Sequence, residues 1–174
     1  MNLDLPSDLL SRLRRAFAVS GVLALALVAA ACPGDDDDDD DDGTGPSADC
    51  IDEIDFTDAP PGVDEDDVEP IDVGDSESGS LSTSDPEVDE GNFIDIYSLA
   101  VENGGEVTIE LDPTGFDAVL LLFTPDVDDA IAGADAGFEG DPEEIVEDLD
   151  EGCYVIVVTS FEPGETGSYT LSVD

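Results

Sequence analysis

The amino-acid sequence predicts an all-β protein whose folded part is a two-sheet β-sandwich of about eight strands. Residues 68–174 contain short apolar segments separated by Gly, Pro, Asp and Ser. Several segments alternate apolar and polar residues with a period of two, and two others are apolar on both faces. Strands of this length and spacing are typical of a β-sandwich.

Nine segments are candidate strands. In "EVTIEL" the side chains of Val107, Ile109 and Leu111 share one face, and "SYTLSV" alternates in the same way. "AVLLLF" and "YVIVV" are apolar throughout, which is typical of strands buried on both faces. In "PEEIVEDL" helix formers follow a proline, so residues 143–150 also fit one or two helical turns. The predicted strands are residues 69–73, 78–83, 93–101, 106–111, 118–123, 130–134, 144–149, 154–160 and 168–173.

The charge of the chain is extreme, with 48 acidic residues, three basic residues and no His, for a formal net charge of −45. The basic residues, Arg12, Arg14 and Arg15, precede Gly21, so no Lys, Arg or His follows Cys32. Nucleic acid and anionic lipid surfaces are repelled, and neither is expected to bind. Such acidity is also found in disordered chains, but the apolar segments favour a folded protein from a salty medium, with cations as screening counterions.

Residues 1–31 have the features of a signal peptide, with arginines before an uncharged run that is too short to span a membrane. "AAAC", from Ala29 to Cys32, resembles the lipobox of bacterial and archaeal lipoproteins, in which the cysteine is lipidated and becomes the first residue. "RRAF" resembles the twin-arginine export signal, so the sequence leaves the export route open. The alternative is a plain secretory signal cut near Ala31.

A low-complexity stretch with eight consecutive aspartates follows Cys32. Self-repulsion keeps such a run extended, so residues 32–48 are predicted to be a disordered linker between the lipid anchor and the folded part. Residues 49–67 are predicted to be an acidic irregular segment, because charges and prolines interrupt every apolar run. The folded domain is predicted to span residues 68–174.

Four stretches of residues 68–174 carry a family resemblance: "VGDSESGSLSTSD", "DIYSLAV", "FDAVLLLF", and "LDEGCYVIVV" with "GSYTLSV". They resemble the bacterial pre-peptidase C-terminal domain. That family has an aspartate two residues before a tyrosine, an Asp-led apolar strand, a Gly-x-Tyr turn and a final Tyr-x-Leu. The matching residues here are Asp95 and Tyr97, Asp117, Gly152 and Tyr154, and Tyr169 and Leu171.

The resemblance implies a jelly-roll-like antiparallel sandwich that works outside the cell, without catalysis, in stability, localisation or binding. Val119 departs from the family, which usually has a second acidic residue in the Asp-led strand. No peptidase domain precedes the sandwich in this sequence, so a role as an appendage to a protease is not carried over.

Cys50 and Cys153 are the two cysteines that remain if Cys32 is lipidated. In an exported protein they predict one disulfide, the alternative being two free thiols. The disulfide would close a loop of about 100 residues and attach the irregular segment to the sandwich.

No catalytic residue is predicted. Without His, Lys or Arg the chain after Cys32 cannot assemble a Ser-His-Asp triad or a Cys-His pair, and it has no cation to bind a phosphate. A carboxylate-based hydrolase is a remote alternative.

Calcium is the candidate cofactor, because its ligands are carboxylate and carbonyl oxygens and two loops are dense in them. The alternative is that these loops are solvated acidic surface. The candidate ligands are Asp85, Asp89, Glu90 and Asp95 in the first loop, and Asp126, Asp128 and Asp129 in the second.

The sequence therefore predicts an exported protein that lipidated Cys32 holds at the cell membrane, facing outside the cytoplasm. It is expected to present a binding surface to a protein or polysaccharide partner. The alternative is a calcium-dependent binding or adhesion module.

Overall fold

The computed structural model describes residues 46–58, 63–88, 91–127 and 130–174. The predicted signal peptide, the lipidation site Cys32 and the aspartate run lie outside these residues, as do Asp89, Glu90, Asp128 and Asp129. In the described ranges, no helix is long and apolar enough to cross a membrane.

Ten strands form two sheets that pack face to face, which confirms the predicted β-sandwich. The six-stranded sheet has the order β1-β4-β9-β6-β7, with β3 paired to β4, and the four-stranded sheet has the order β2-β10-β5-β8. The strands are β1 (Val68–Asp72), β2 (Ser76–Leu81), β3 (Glu87–Val88), β4 (Asn92–Val101), β5 (Gly105–Thr114), β6 (Ala118–Phe123), β7 (Ala130–Ala134), β8 (Glu143–Leu149), β9 (Gly152–Ser160) and β10 (Gly167–Val173).

Each of the nine predicted segments overlaps a strand, and the first two predicted segments extend one and two residues past the ends of β1 and β2. The helical alternative for residues 143–150 is wrong, because β8 pairs antiparallel with β5 from Glu143 to Leu149. The two-residue strand β3 was too short to be predicted. The expected antiparallel pairing also fails at one place, since β1 and β4 are parallel. The chain passes through β2 in the other sheet between these strands, and such a crossover permits parallel neighbours.

The main core lies between the sheets. Leu99, Leu111 and Leu120 are fully buried there with Phe116 and Ile156. These residues come from both sheets. In β5, buried apolar residues alternate with more exposed ones, as the period of two predicts. Burial of such side chains contributes about 1.5–3 kcal/mol each, before the entropy of ordering the chain is subtracted.

A second core lies on the outer face of the six-stranded sheet. Val119, Leu121 and Val157 point outward from the sandwich, yet they are buried. Ile54 belongs to this cluster, and Phe56 packs against it. The irregular segment therefore covers the outer face of the sheet, which explains why β6 and β9 are apolar on both faces.

The segment that covers the outer face, here called the covering segment, is described at residues 46–58 and 63–67 and consists of single turns. The helix α1 (Pro46–Asp49) leads into 3₁₀ turns at Cys50–Glu53, Phe56–Asp58 and Glu65–Asp67. Asp64 caps the last turn, accepting a hydrogen bond from the Asp66 amide, while the Asp67 carboxylate accepts one from the Asp64 amide.

The disordered linker was predicted to extend to residue 48, but Ser47 is fully buried between β1 and β4. Its hydroxyl donates to the Ile71 carbonyl over 2.7 Å and accepts from the Ala100 amide over 2.9 Å. Its carbonyl accepts from the Ser98 hydroxyl, and its amide donates to the Asp72 carboxylate. The ordered chain thus includes the last residues of the predicted linker.

Cys50 and Cys153 are joined by a disulfide, with their Cα atoms 5.5 Å apart and a sequence separation of 103 residues. The bond connects the covering segment to Cys153, the second residue of β9.

Reduction of this disulfide is expected to lower the free energy of unfolding by about 2–5 kcal/mol, because the unfolded chain regains the entropy of a long closed loop. Urea unfolding in molar NaCl, with and without a reducing agent, measures the loss. The Cys50→Ala, Cys153→Ala double variant is the control, and its unfolding midpoint should not respond to the reductant. An equal midpoint for the oxidised and reduced wild type would contradict the prediction.

Candidate functional site

The strand register gives the sandwich two ends. We call the loops 115–117, 135–142 and 161–166 the distal end. The Gly140 amide donates to the Phe116 carbonyl over 3.1 Å and the Phe161 amide donates to the Asp117 carbonyl over 2.8 Å, so these loops are in contact. The disulfide lies at the proximal end, where β4 ends and β9 begins.

Tyr169, Tyr97 and Asp95 form a hydrogen-bonded group that joins the two sheets. The Tyr169 hydroxyl on β10 donates to Asp95 Oδ2 over 2.5 Å. Tyr97 is two residues after Asp95 on β4, and its hydroxyl lies 2.8 Å from the Tyr169 hydroxyl. The Tyr97 and Tyr169 side chains are both buried. Burial raises the pKa of Tyr97 to about 12 and raises the pKa of Tyr169 further, so both stay protonated and able to donate.

Gly79 makes room for the Tyr169 ring. The two residues are paired across β2 and β10, and the ring lies over the Gly79 backbone. A Cβ atom at residue 79 would overlap the end of the ring. The glycine of the Gly-x-Leu stretch therefore lets the Tyr169 ring lie against β2 while its hydroxyl reaches Asp95 on the opposite sheet.

An acidic cleft of about 380 Å³ opens beside this group, between β1, β2 and β4. Its walls include Asp67, Glu69, Asp85 and Asp95. Asp85 is already engaged, since its carboxylate accepts hydrogen bonds from the Ser82 amide and hydroxyl. Burial raises the pKa of Asp95 to about 6; the Tyr169 hydrogen bond opposes this shift, and the charges of Asp85 and Glu69 add to it.

The three predicted calcium ligands that the structure describes, Asp85, Asp95 and Asp126, lie at two places. Asp85 and Asp95 line the same cleft. Asp126 follows β6 at the proximal end, where it accepts a hydrogen bond from the Thr124 hydroxyl and its neighbour Pro125 accepts one from the Asp55 amide. Across the four described ranges, no three acidic or cysteine side chains are already arranged to hold a metal ion. Calcium binding at these residues stays a prediction.

A second acidic group lies at the distal end and was not predicted as a site. Glu143, the first residue of β8, is only 1% exposed. Its Oε2 accepts from the Ala136 amide over 2.6 Å. Burial raises its pKa to about 7; the Ala136 hydrogen bond opposes the shift, and the charges of Asp135 and Asp117 add to it. Burial also raises the pKa of Asp117, with Asp135 and Glu165 contributing.

The sequence did carry a signal for Glu143. It shares the period-two phase of Ile145, which faces the core, so a strand at residues 143–149 places a carboxylate inward. The helical alternative concealed this phase. Asp117 was noted only as the leader of an apolar strand.

No protein-family model matches the sequence, and no curated protein matches it. Among solved structures, the chain is similar to the pre-peptidase C-terminal domain of a Bacillus anthracis collagenase, at 20% identity over 62% of this chain and 94% of that one, with a TM-score of 0.48. This collagenase domain belongs to the family that residues 68–174 resemble in sequence.

Two further solved structures are similar. One is the Aeromonas hydrophila periplasmic inhibitor of g-type lysozyme, with 18% identity, coverage of 62% and 97%, and a TM-score of 0.43. The other is a carbohydrate-binding module of Cellvibrio mixtus lichenase 5A, with 8% identity, coverage of 57% and 86%, and a TM-score of 0.34. At these scores the similarities carry no argument about ligand or activity.

Tyr169→Phe is expected to lower the free energy of unfolding by about 1–3 kcal/mol, because Asp95 loses its buried donor and Tyr97 loses its partner. Tyr154→Phe is the matched control. The Tyr154 hydroxyl donates to the Asp150 carbonyl at an exposed position, so its loss should cost less than about 0.5 kcal/mol. Urea unfolding of the two variants in molar NaCl tests the difference, and equal losses would contradict it.

The raised pKa of Asp95 predicts a pH dependence. The folded state holds this proton more tightly than the unfolded state, in which the carboxyl titrates near 3.8. Ionised Asp95 therefore costs stability above about pH 6, and the cost disappears as the pH falls towards the unfolded value. Asp95→Asn should reduce the gain in stability between about pH 8 and pH 5 by on the order of 1 kcal/mol, after allowance for solvent screening.

The control for this pH dependence is Glu77→Gln, an exposed carboxylate of β2. Its gain in stability on acidification should match that of the wild type. If Asp95→Asn also keeps the full gain, ionisation of Asp95 does not lower the stability of the folded state and the prediction is wrong.

Proposed function

We propose that this chain is an exported, lipid-anchored β-sandwich that acts without catalysis, by presenting its distal end to a partner outside the cytoplasm. The observation that carries the proposal is where the chain enters the fold. α1 and the disulfide lie at the proximal end. A tether from lipidated Cys32 to Pro46 would therefore leave the distal loops directed away from the membrane.

The distal end supports a role in contact. The side chains of Phe138 and Phe161 are 77% and 40% exposed. Their two loops are both hydrogen-bonded to the turn at residues 115–117. Among the described residues these are the two large aromatic side chains that are exposed, and exposed aromatic groups on neighbouring loops are typical of interaction sites. The surrounding carboxylates, Asp135 and Asp141 among them, favour a partner surface that carries little negative charge.

The proposal that the protein lacks catalysis is supported by the chemistry available in residues 46–174. The sequence there has no His, Lys or Arg to serve as base or as cation. Asp95 has a raised pKa, but its carboxylate accepts a hydrogen bond from the Tyr169 hydroxyl, which in turn pairs with the Tyr97 hydroxyl. Its position is accounted for by the structure without a reaction.

The charge of the chain supports a salty environment for this protein. A surface without basic residues gains stability when cations screen its carboxylates. The same charge keeps the aspartate run of the tether extended, so the sandwich would stand clear of the lipid surface.

Cys32→Ser tests the anchor, on which this function depends. The wild type is expected in the membrane fraction of expressing cells, and the variant in the soluble exported fraction. Thr44→Ser, in the same tether, is the control and should stay with the membrane. Mass spectrometry of the amino-terminal peptide should show acyl chains on Cys32 in the wild type. Unchanged membrane retention of Cys32→Ser, or an unmodified Cys32 in the wild type, would overturn the proposal.

A further inference from the structure

Three buried side-chain oxygens have no hydrogen-bond partner among the described residues, and all three belong to carboxylates of the distal end. They are Asp117 Oδ1, Glu143 Oε1 and Glu165 Oε2. Buried polar atoms are normally paired, and an unpaired one costs about 1–3 kcal/mol. Three such atoms in connected loops call for a ligand that supplies what the chain lacks.

Glu143 is the strongest of these observations. Its side chain is almost fully buried, and it faces into the sandwich in phase with Ile145. One of its oxygens holds the 135–142 loop through the Ala136 amide, but Oε1 accepts nothing. A structural role for Glu143 explains the first oxygen and leaves the second unexplained.

Asp117 and Glu165 bring two more loops to this place. Asp117 lies within electrostatic range of Glu165 and of Glu143, and its own carbonyl accepts from the Phe161 amide. Asp135 and Asp141 lie within the same range. Asp117 and Glu143 are therefore each repelled by several neighbouring carboxylates, and no basic side chain follows Cys32 to offset this repulsion.

We propose that Asp117, Glu143 and Glu165 bind one divalent cation, with calcium preferred. Calcium takes six to eight oxygen ligands in flexible geometry, which suits carboxylates and carbonyls supplied by separate loops. Magnesium demands a tighter octahedron and keeps more of its water. The absence of His and the oxidised state of Cys50 and Cys153 disfavour zinc.

The carboxylates of the described ranges are not gathered into a complete site as they stand. A cation would draw Asp117, Glu143 and Glu165 together by side-chain rotation. Because Asp117, Glu165 and the first residue of β8 would then share one ion, binding would fix the distal loops relative to the sandwich. This site differs from the predicted ones at Asp85 and Asp95 and at Asp126, and it does not depend on the membrane anchor.

The test follows thermal unfolding of the purified full chain at about pH 8, after chelation and then in millimolar CaCl₂, MgCl₂ or NaCl at constant ionic strength. Calcium is expected to raise the transition temperature by about 5 °C or more beyond NaCl, and beyond magnesium. Glu143→Gln should abolish most of this shift and weaken calcium binding by at least about tenfold. Glu144→Gln, the exposed neighbour on β8, is the matched control and should behave as the wild type.

Glu165→Gln is the second variant, since a loop substitution leaves the strands intact and should also reduce the calcium shift. The chain contains other carboxylates, so the readout is the calcium-induced difference for each variant and not its baseline stability. A calcium shift that is unchanged in Glu143→Gln and Glu165→Gln overturns the proposal, as does its loss in Asp85→Asn or Asp126→Asn instead. If acidification stabilises the wild type through Glu143 while calcium adds nothing, the unpaired oxygen carries a proton and the proposal is wrong.

Discussion

The absence of any basic side chain after Cys32 is the constraint on which the rest of this structure depends. Buried carboxylates in most proteins are offset by Arg or Lys, and here only neutral donors are available. Asp95 uses the Tyr169 hydroxyl, Glu143 uses the Ala136 amide, and Asp85 uses Ser82. A neutral donor satisfies an oxygen without cancelling its charge. The carboxyl groups of Asp95 and Glu143 accordingly have raised pKa values, because burial remains the larger effect.

Because the described residues contain no basic side chain to form an ion pair, their fold relies on apolar burial, hydrogen bonds and one covalent link. The six-stranded sheet is covered on both faces, by the second sheet on one side and by the irregular segment on the other. That segment is short of regular structure, so Ser47 and the disulfide determine where it lies. Its sequence is mostly acidic, but a few apolar residues, Ile54 and Phe56 among them, pack against the sheet.

The strands were predictable from sequence because their signals are local. Period-two alternation in β5 and β10, and the doubly apolar runs in β6 and β9, appear directly in the structure. The parallel pairing of β1 with β4 was not predictable, because it depends on which sheet the intervening strand joins. The role of the irregular segment was missed for a related reason. A few apolar residues in an acidic stretch indicate burial only when the surface that they pack against is known.

Candidate ligands were harder to predict than strands, since density of carboxylates in a loop does not determine their separation in space. The first predicted group did bring Asp85 and Asp95 to one cleft. Asp126 fell at the other end of the sandwich, and Glu143 was overlooked because only its strand phase turns it inward. In a chain with this many acids, the informative carboxylate is the one that folding removes from water.

The two ends of the sandwich differ in how completely their polar groups are satisfied. At the proximal end every polar atom of Ser47 has a partner, and the disulfide holds the adjoining turn. At the distal end three carboxylate oxygens are buried without one. Burial of these oxygens costs free energy, because the carboxylates lose hydration and are repelled by their neighbours. Such a cost persists in a fold only where the surrounding structure over-determines it or where binding removes it. The distal end, opposite the place where α1 begins, is where binding of a ligand would remove the largest cost.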